Sequence, residues 1–470
     1  MPSRTLLRSL LGFIALLSAP LISLVAADSA PTTKPNIILF LSDDHGVDFV
    51  GCYGNKAIHT PYMDTLAQEG MRFTRAFAGS PTCSPSRAIL FTGLYSARNG
   101  TMGNHTDCRA DIESLPTYLK ALGYRMVAAN KTDVRPQSVF GWEVLSATLP
   151  KNPNLDRRYR SEGLDTAKVD AFLAAHAKER AGEPLCLLLG DSAPHVVWEP
   201  NRDYDSAALP IPPNMVDTPK TRAALANYYQ DITTADRHLG EVMASLEKHG
   251  FDRNTVLIYT TDQGPEWPRC KWTCYDAGLR VPFIVRWPGV VKAGVTTGAL
   301  ISFADITPLF VDLAGGKSIA GLDGRSFKHV LLGEAARHDE FIYASHTGDG
   351  EMNVFPQRCV RDERWKLILN LKPTNKWTTH FTKVMDIPGS HGDVYATWLE
   401  KAKTDSATAN FIEALEHHPR WELYDTEEDP YESNNLASQP ANAARLAAMK
   451  VKLTEWLSQQ GDKEALEAMQ

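Results

Sequence analysis

Residues 35–42, PNIILFLS, form an unbroken apolar run that stops at Asp43-Asp44-His45-Gly46. A run this short, apolar on alternate and intervening positions alike, predicts a buried parallel strand, and sheets of that kind present functional side chains just beyond their C-terminal ends. The pattern recurs at residues 255–260, which lead into Thr261-Asp262-Gln263-Gly264, and residues 124–129 and 184–189 are further short apolar runs. Between them the period lengthens. Residues 61–70 open on proline and close on glycine, as helices do, and residues 115–123 predict another short helix. Residues 220–250 carry Leu225, Tyr228, Ile232, Ala235, Leu239, Val242 and Leu246 at the spacing of one helical face. Strands alternating with helices predict an α/β fold, a mainly parallel sheet covered by helices on both faces.

After about residue 335 the pattern changes. Residues 341–345, 358–371 and 421–425 read as strands with few helices between them, followed by a terminal helix over 441–458. This predicts a smaller C-terminal subdomain of antiparallel sheet plus helix. At the other end, Arg4 and Arg8 precede an apolar run from Leu10, and the small residues Ala26 and Ala27 precede Asp28. That is the layout of a secretory signal peptide cleaved after Ala27, and Pro20 interrupts the run as a membrane anchor would not. The expected organisation is therefore a leader at 1–27, a catalytic domain at 28–335 and a C-terminal subdomain at 336–470. The expected product is periplasmic or secreted, with no stable membrane insertion.

Composition narrows the classes. The 470 residues are 43% hydrophobic, enough for a large core, and 49 basic against 56 acidic side chains leave a formal charge of −7. This balance excludes a general nucleic-acid or membrane-surface binder, so an anionic substrate has to be drawn by a local basic pocket. Seven cysteines, an odd number, single one out in an exported chain. The spacing of Cys270 and Cys274 lacks the second ligand pair of a zinc site.

Asp43, Asp44 and Asp262 each follow a strand-like run. Singly, each could be a cap or turn former; gathered at neighbouring strand ends, they make a set of hard oxygen ligands for a divalent cation. Cys83-Ser84-Pro85-Ser86-Arg87 puts a thiol at the start of a helix, where it could be nucleophile or ligand. With Ala88, Leu90, Thr92 and Gly93, this stretch resembles the C-x-P-S-R…TG signature of the formylglycine-dependent sulfatases of the alkaline-phosphatase-like superfamily. Residues 36–44, 51–70, 118–131, 261–288 and 421–436 extend the likeness over most of the mature chain.

The resemblance implies a calcium ion and conversion of Cys83 to formylglycine by a formylglycine-generating or equivalent maturation enzyme. The hydrated aldehyde would attack sulfur through one oxygen and expel sulfate through the other. It further implies Asp43, Asp44, Asp262 and Gln263 as calcium ligands completed by modified Cys83, with Gln263 standing where Asn or His is usual. Arg87 would hold the formylglycine and nearby carboxylates, Lys131 and Lys271 would bind sulfate, and His195 would contact sulfate and protonate the leaving group. One departure stands out: a histidine usual two residues after Lys131 is replaced by Asp133, a carboxylate that could act as base or contact substrate.

The later segments Ser345-His346, Phe355-Pro356-Gln357-Arg358, Arg364 to Ile368 and Arg420 to Asp425 are similar to the C-terminal part of heparan N-sulfatases and related polysaccharide sulfatases, with His346 as a sugar contact. The implied activity is removal of sulfate from a sulfated saccharide, at glucosamine nitrogen or at oxygen of an algal or animal polysaccharide. The alternatives are a phosphonate or phosphodiester hydrolase of the same superfamily and a non-catalytic glycan-binding homologue.

Overall fold

A computed structural model describes residues 34–149, 163–350, 353–383 and 392–469. The expected leader, 1–27, lies outside the described residues. In chain order the first sheet contains β1 (Asn36–Ser42), β2 (Met71–Phe77), β3 (Arg125–Asn130), β4 (Glu143–Leu145), β5 (Leu185–Gly190), β6 (Thr255–Thr261), β7 (Arg280–Arg286), β8 (Val295–Thr297) and β9 (Ile301–Ser302). Their order in space is β4-β3-β5-β1-β6-β7-β2-β8, with β9 also paired to β2. Every pairing is parallel except those of β7 with β6 and with β2.

The continuous apolar runs are explained by burial on both faces. In β1, Ile37, Leu39 and Leu41 enter one core with Ala88–Phe91 of the helix Cys83–Thr92, and Ile38 and Phe40 enter another. That second core includes Met63 and Leu66 of helix Pro61–Glu69 and Leu239, Val242 and Leu246 of helix Pro219–Lys248. The long helix begins where the proline predicts, with the Thr218 hydroxyl accepting from Thr221 N. Helices cover both faces, as the alternation predicts.

The second sheet is antiparallel, in the order β10 (Ile342–His346), β11 (Gln357–Arg361), β12 (Trp365–Asn370), β13 (Trp421–Asp425). The single strand expected over 358–371 is instead a hairpin, because Asp362 turns the chain: its carboxylate accepts from Arg364 N (2.8 Å) and Trp365 N (2.6 Å). Helices Gly392–Ala402 and Ser406–Glu416 also intervene where few were expected. The terminal helix runs over Ala443–Gln460, and its Leu453, Trp456 and Leu457 join Val360, Leu367 and Leu423 in the same core as one face of the first sheet. The two sheets thus share apolar packing.

At their seam lies a buried charge network. Lys366 Nζ is 2.6 Å from Asp276 and 2.9 Å from Glu432, and Arg361 is 2.6 Å from the other oxygen of Asp276. Asp276 N donates to Glu432, and Arg361 lies 4.3 Å above the Phe77 ring.

Candidate active site

The site is assembled where β1 and β6 end side by side. Their register pairs Ser42 with Thr261, so the next residues, Asp43, Asp44 and Asp262, Gln263, emerge together, all without measurable exposure. Asp44 adopts a left-handed backbone (φ 63°), an uncommon state for a non-glycine residue that turns its carboxylate out of line with that of Asp43. Asp44 N donates to Asp262 (3.2 Å), and the Gln263 amide nitrogen donates to Asp44. Directly after, Gly264 packs so tightly that a Cβ would stand 1.8 Å from the Ala277 carbonyl. Only glycine fits this approach.

Helix Cys83–Thr92 points its N-terminus at these carboxylates. All ten of its residues are buried, and it stops at Gly93 in a left-handed cap (φ 68°). Cys83 Sγ is 3.6 Å from Asp43, 3.3 Å from the Gln263 amide nitrogen and 3.8 Å from Lys131 Nζ. Burial pushes the Cys83 thiol well above its ordinary value, and Lys131 and Lys271 offset this only in part. One helical turn on, Arg87 reaches back with Nε 2.8 Å from Asp262, Nη2 3.6 Å from Asp43 and Nη1 2.9 Å from the Lys131 carbonyl.

Two lysines and a histidine close the ring. Lys131 follows β3 and pairs with Asp43; Lys271 pairs with Asp44 (2.8 Å) and Glu266 (3.2 Å). His195 Nε2 is 3.8 Å from Asp44, while its Nδ1 lies 2.6 Å from the Val196 carbonyl. A carbonyl only accepts, so Nδ1 carries the hydrogen and the lone pair of Nε2 faces the site. Burial, then Lys271, holds His195 below its usual value. Burial raises Asp43 too, but Lys131, His195 and Arg87 overcome it and keep that carboxyl below the ordinary range; burial, followed by Asp43, holds Asp262 up at about 7.

Most of the predicted residues therefore converge. Ligand atoms of Asp43, Asp44, Cys83 and His195 lie within 4.8 Å of one another, a group able to hold a metal ion. The Gln263 side-chain oxygen is buried without a hydrogen-bond partner, which an acceptor at the edge of a cation site would explain. Asp133 is one side chain removed: it accepts from the Ser84 hydroxyl at 3.1 Å, beside Cys83. His346 is 1% exposed, bonded to the Asn353 carbonyl (3.1 Å) and packed against Trp272.

The sequence reading missed Glu266, Trp272 and His380. Glu266 accepts from Trp272 Nε1 at 2.8 Å, and the His380 ring, partly exposed, stacks on Trp272 at 5.3 Å. They form a wall next to Lys271. Glu266-Trp267 just after Asp262 was the one available signal; His380 comes from a distant segment with no motif of its own.

Comparisons with known proteins agree with this geometry. Residues 35–316 match the Sulfatase family, and residues 269–398 match the family described as N-sulphoglucosamine sulphohydrolase, C-terminal. An ulvan-active sulfatase of Formosa agariphila is 35% identical, covering 94% of this chain and 83% of that protein. Human N-sulphoglucosamine sulphohydrolase is 29% identical, covering 90% and 89%. The solved structure of BT4656 with its substrate D-glucosamine-2-N,6-O-disulfate superimposes with a TM-score of 0.68 at 21% identity, covering 92% of this chain and 99% of that one. A phosphonate monoester hydrolase of Agrobacterium radiobacter gives 0.69 at 19%, covering 91% and 96%, so the fold alone does not separate the chemistries. With the family match spanning more than half the chain and the Formosa relative covering nearly all of it, this chain belongs to the sulfatase family, hydrolases of sulfate ester and sulfamate bonds.

Proposed function

We propose that the protein is an exported, calcium-dependent sulfatase that removes sulfate from a sulfated glycan, with formylglycine made from Cys83 as its nucleophile. The observation that carries this reading is the convergence of Cys83, Lys131 and Lys271 on a buried carboxylate cluster. Asp43, Asp44, Asp262 and Gln263 supply oxygen ligands suited to calcium, and the unpartnered Gln263 oxygen fits that set. When present, calcium and the hydrated aldehyde supply an activated oxygen nucleophile with a second hydroxyl for releasing sulfate.

The remaining steps belong to residues of the chain. Lys131 and Lys271, held by Asp43 and Asp44, bind the sulfate oxygens and stabilise charge as the S–O or S–N bond breaks. Arg87 fixes the Asp262 and Asp43 carboxylates and, through the Lys131 carbonyl, the start of the lysine loop. His195 takes up a proton at Nε2 when the sulfate anion offsets the depressing effect of burial and Lys271, and passes it to the leaving oxygen or nitrogen. Asp133 is the candidate base for sulfate release, acting beside Ser84.

As for substrate, the match of residues 269–398 favours N-sulfated glucosamine, and that segment contains Lys271, Trp272, His346 and His380. The higher identity to the Formosa protein favours a second reading, an O-sulfated polysaccharide. His346, expected as a sugar contact, is buried edge-on against Trp272, so any influence on a sugar would pass through that ring. No helix among the described residues is long and apolar enough to cross a membrane.

The test begins with mass spectrometry of the tryptic peptide spanning residues 76–87 from protein made in a maturation-competent host. Loss of the Cys83 sulfur with gain of a carbonyl is expected, followed by sulfate release from N-sulfated glucosamine or an O-sulfated glycan. An intact thiol together with retained glycan binding would establish the non-catalytic alternative, and a strong preference for phosphate esters would establish the phosphonate-hydrolase one.

A further inference from the structure

A second group of ligating side chains lies apart from these residues, on the segment that joins the two sheets. Asp305 ends the turn Phe303–Asp305 ahead of helix Ile306–Leu313, and His338 and Asp339 come shortly before β10. His338 Nε2 is 3.6 Å from Asp305 Oδ2 and 3.6 Å from Asp339 Oδ1. One ligand atom from each residue falls within 4.8 Å of the others.

Capping explains part of this. Asp305 accepts from Ser302 N (2.8 Å) and Arg325 N (2.9 Å), which accounts for a carboxylate at that turn. It does not account for His338. That imidazole is fully enclosed and packed against Phe327 and His329, with ring centroids 5.7 and 5.3 Å away. Neither ring nitrogen has a well-formed hydrogen bond; the Arg325 backbone offers only a weak contact. A buried polar group left this way destabilises the fold unless a ligand satisfies it. Two carboxylates thus face one imidazole that they do not hydrogen-bond.

We infer that Asp305, His338 and Asp339 bind a first-row divalent cation of the zinc type. Neighbouring ligand atoms around tetrahedral zinc, with bonds of about 2.0–2.2 Å, are separated by about 3.4 Å. The observed separations of 3.6 Å from the imidazole to each carboxylate need little adjustment. One imidazole with two carboxylates is a donor set that such ions accept. Arg325 Nε, 3.1 Å from Asp339 Oδ1, orients that carboxylate from outside. Three protein ligands leave the fourth position to water. Helix Ile306–Leu313 contacts the Cys83 helix through Thr307 Oγ1, which donates to the Leu90 carbonyl at 2.8 Å, so the cation would tie that layer to the strand entering the second sheet.

The experiment uses the full-length exported protein saturated with calcium and dialysed against buffered zinc. Bound metal per chain is counted by plasma mass spectrometry and the melting temperature is recorded with and without zinc. The wild type is expected to hold one zinc equivalent more than Asp339→Asn and than His338→Gln, and to melt higher with zinc where the variants do not. Calcium content should be equal in all three. Equal zinc in wild type and variants, or a wild-type melting temperature that ignores zinc, would overturn the inference. Asp339→Asn, an isosteric change at a partly exposed side chain, keeps the test decisive if His338→Gln does not fold. Metal counting is independent of turnover, so failure of the sulfatase reading leaves this outcome intact.

Discussion

Lys271 and Lys366 are both buried, and each is paired with two carboxylates: Asp44 and Glu266 for the first, Asp276 and Glu432 for the second. Their surroundings differ. Around Lys366 the carboxylates also meet Arg361 and a backbone N–H, and none of these side chains is left with an unpartnered buried atom. A left-handed carboxylate residue occurs in both, Asp44 in one and Glu432 in the other, but around Lys271 the nearby Gln263 oxygen has no partner. Burial of charge therefore does not by itself mark function. Here the two networks differ in one acceptor left open beside the charges.

The comparison can be broken most forcefully at Cys83. Cys83→Ala should lower turnover of a sulfated substrate by at least about a thousandfold while the melting curve stays within a few degrees, because the proposed nucleophile is lost and the frame is not. Near wild-type turnover refutes the mechanism. The two lysines come next. Lys366→Met should cost about 3–5 kcal/mol in denaturant unfolding by leaving Asp276 and Glu432 short of a partner, with kcat of the folded fraction unchanged. Lys271→Met should reverse the pattern, lowering kcat/KM by roughly a hundredfold or more in calcium with the smaller loss of stability. Equal effects of the two on both readouts erase the distinction.

A smaller effect is expected with acid. Burial holds His346 at about 4. Below the unfolded value of about 6.5, the unfolded chain takes up a proton that the native state refuses, so stability falls as pH drops from about 6.5 toward 4. His45 and His338, also held at about 4 by burial, add to the slope of melting temperature against pH, and His346→Gln should reduce it by about one third. The smallest change is expected from Asp133→His: a shift of a few fold in sulfate release, seen in the burst phase of single-turnover experiments. An unaltered release step removes Asp133 from the list of bases.

Much of the architecture was legible because β1, β5 and β6 are buried on both sides and so read as unbroken apolar runs. β2, MRFTRAF, was not, because Arg72 and Arg75 interrupt it near the sheet's edge, where side chains are half exposed. The hairpin inside 358–371 was hidden because a turn of Asp362, Glu363 and Arg364 interrupts an otherwise strand-like stretch for only a few residues. Lys131, His195 and Lys271 were reached only through the family resemblance, whereas the three aspartates at strand ends and Cys83 and Arg87 in their motif were visible in the residues themselves. Glu266, Trp272 and His380 were not, since they meet only through tertiary packing.

The strand order has a consequence in time. β1 lies between β5 and β6, so Asp43 cannot meet Asp262, nor Cys83 the ammonium of Lys271, until roughly two hundred further residues have been made. At about 5–20 residues per second, synthesis leaves roughly 10–40 s in which the segment around Cys83 has emerged without its partners. Helix Cys83–Thr92 is buried along its whole length only after helix Ile306–Leu313, later still in the chain, has docked on it. The maturation enzyme proposed for Cys83 would therefore have to reach the side chain before these later elements dock.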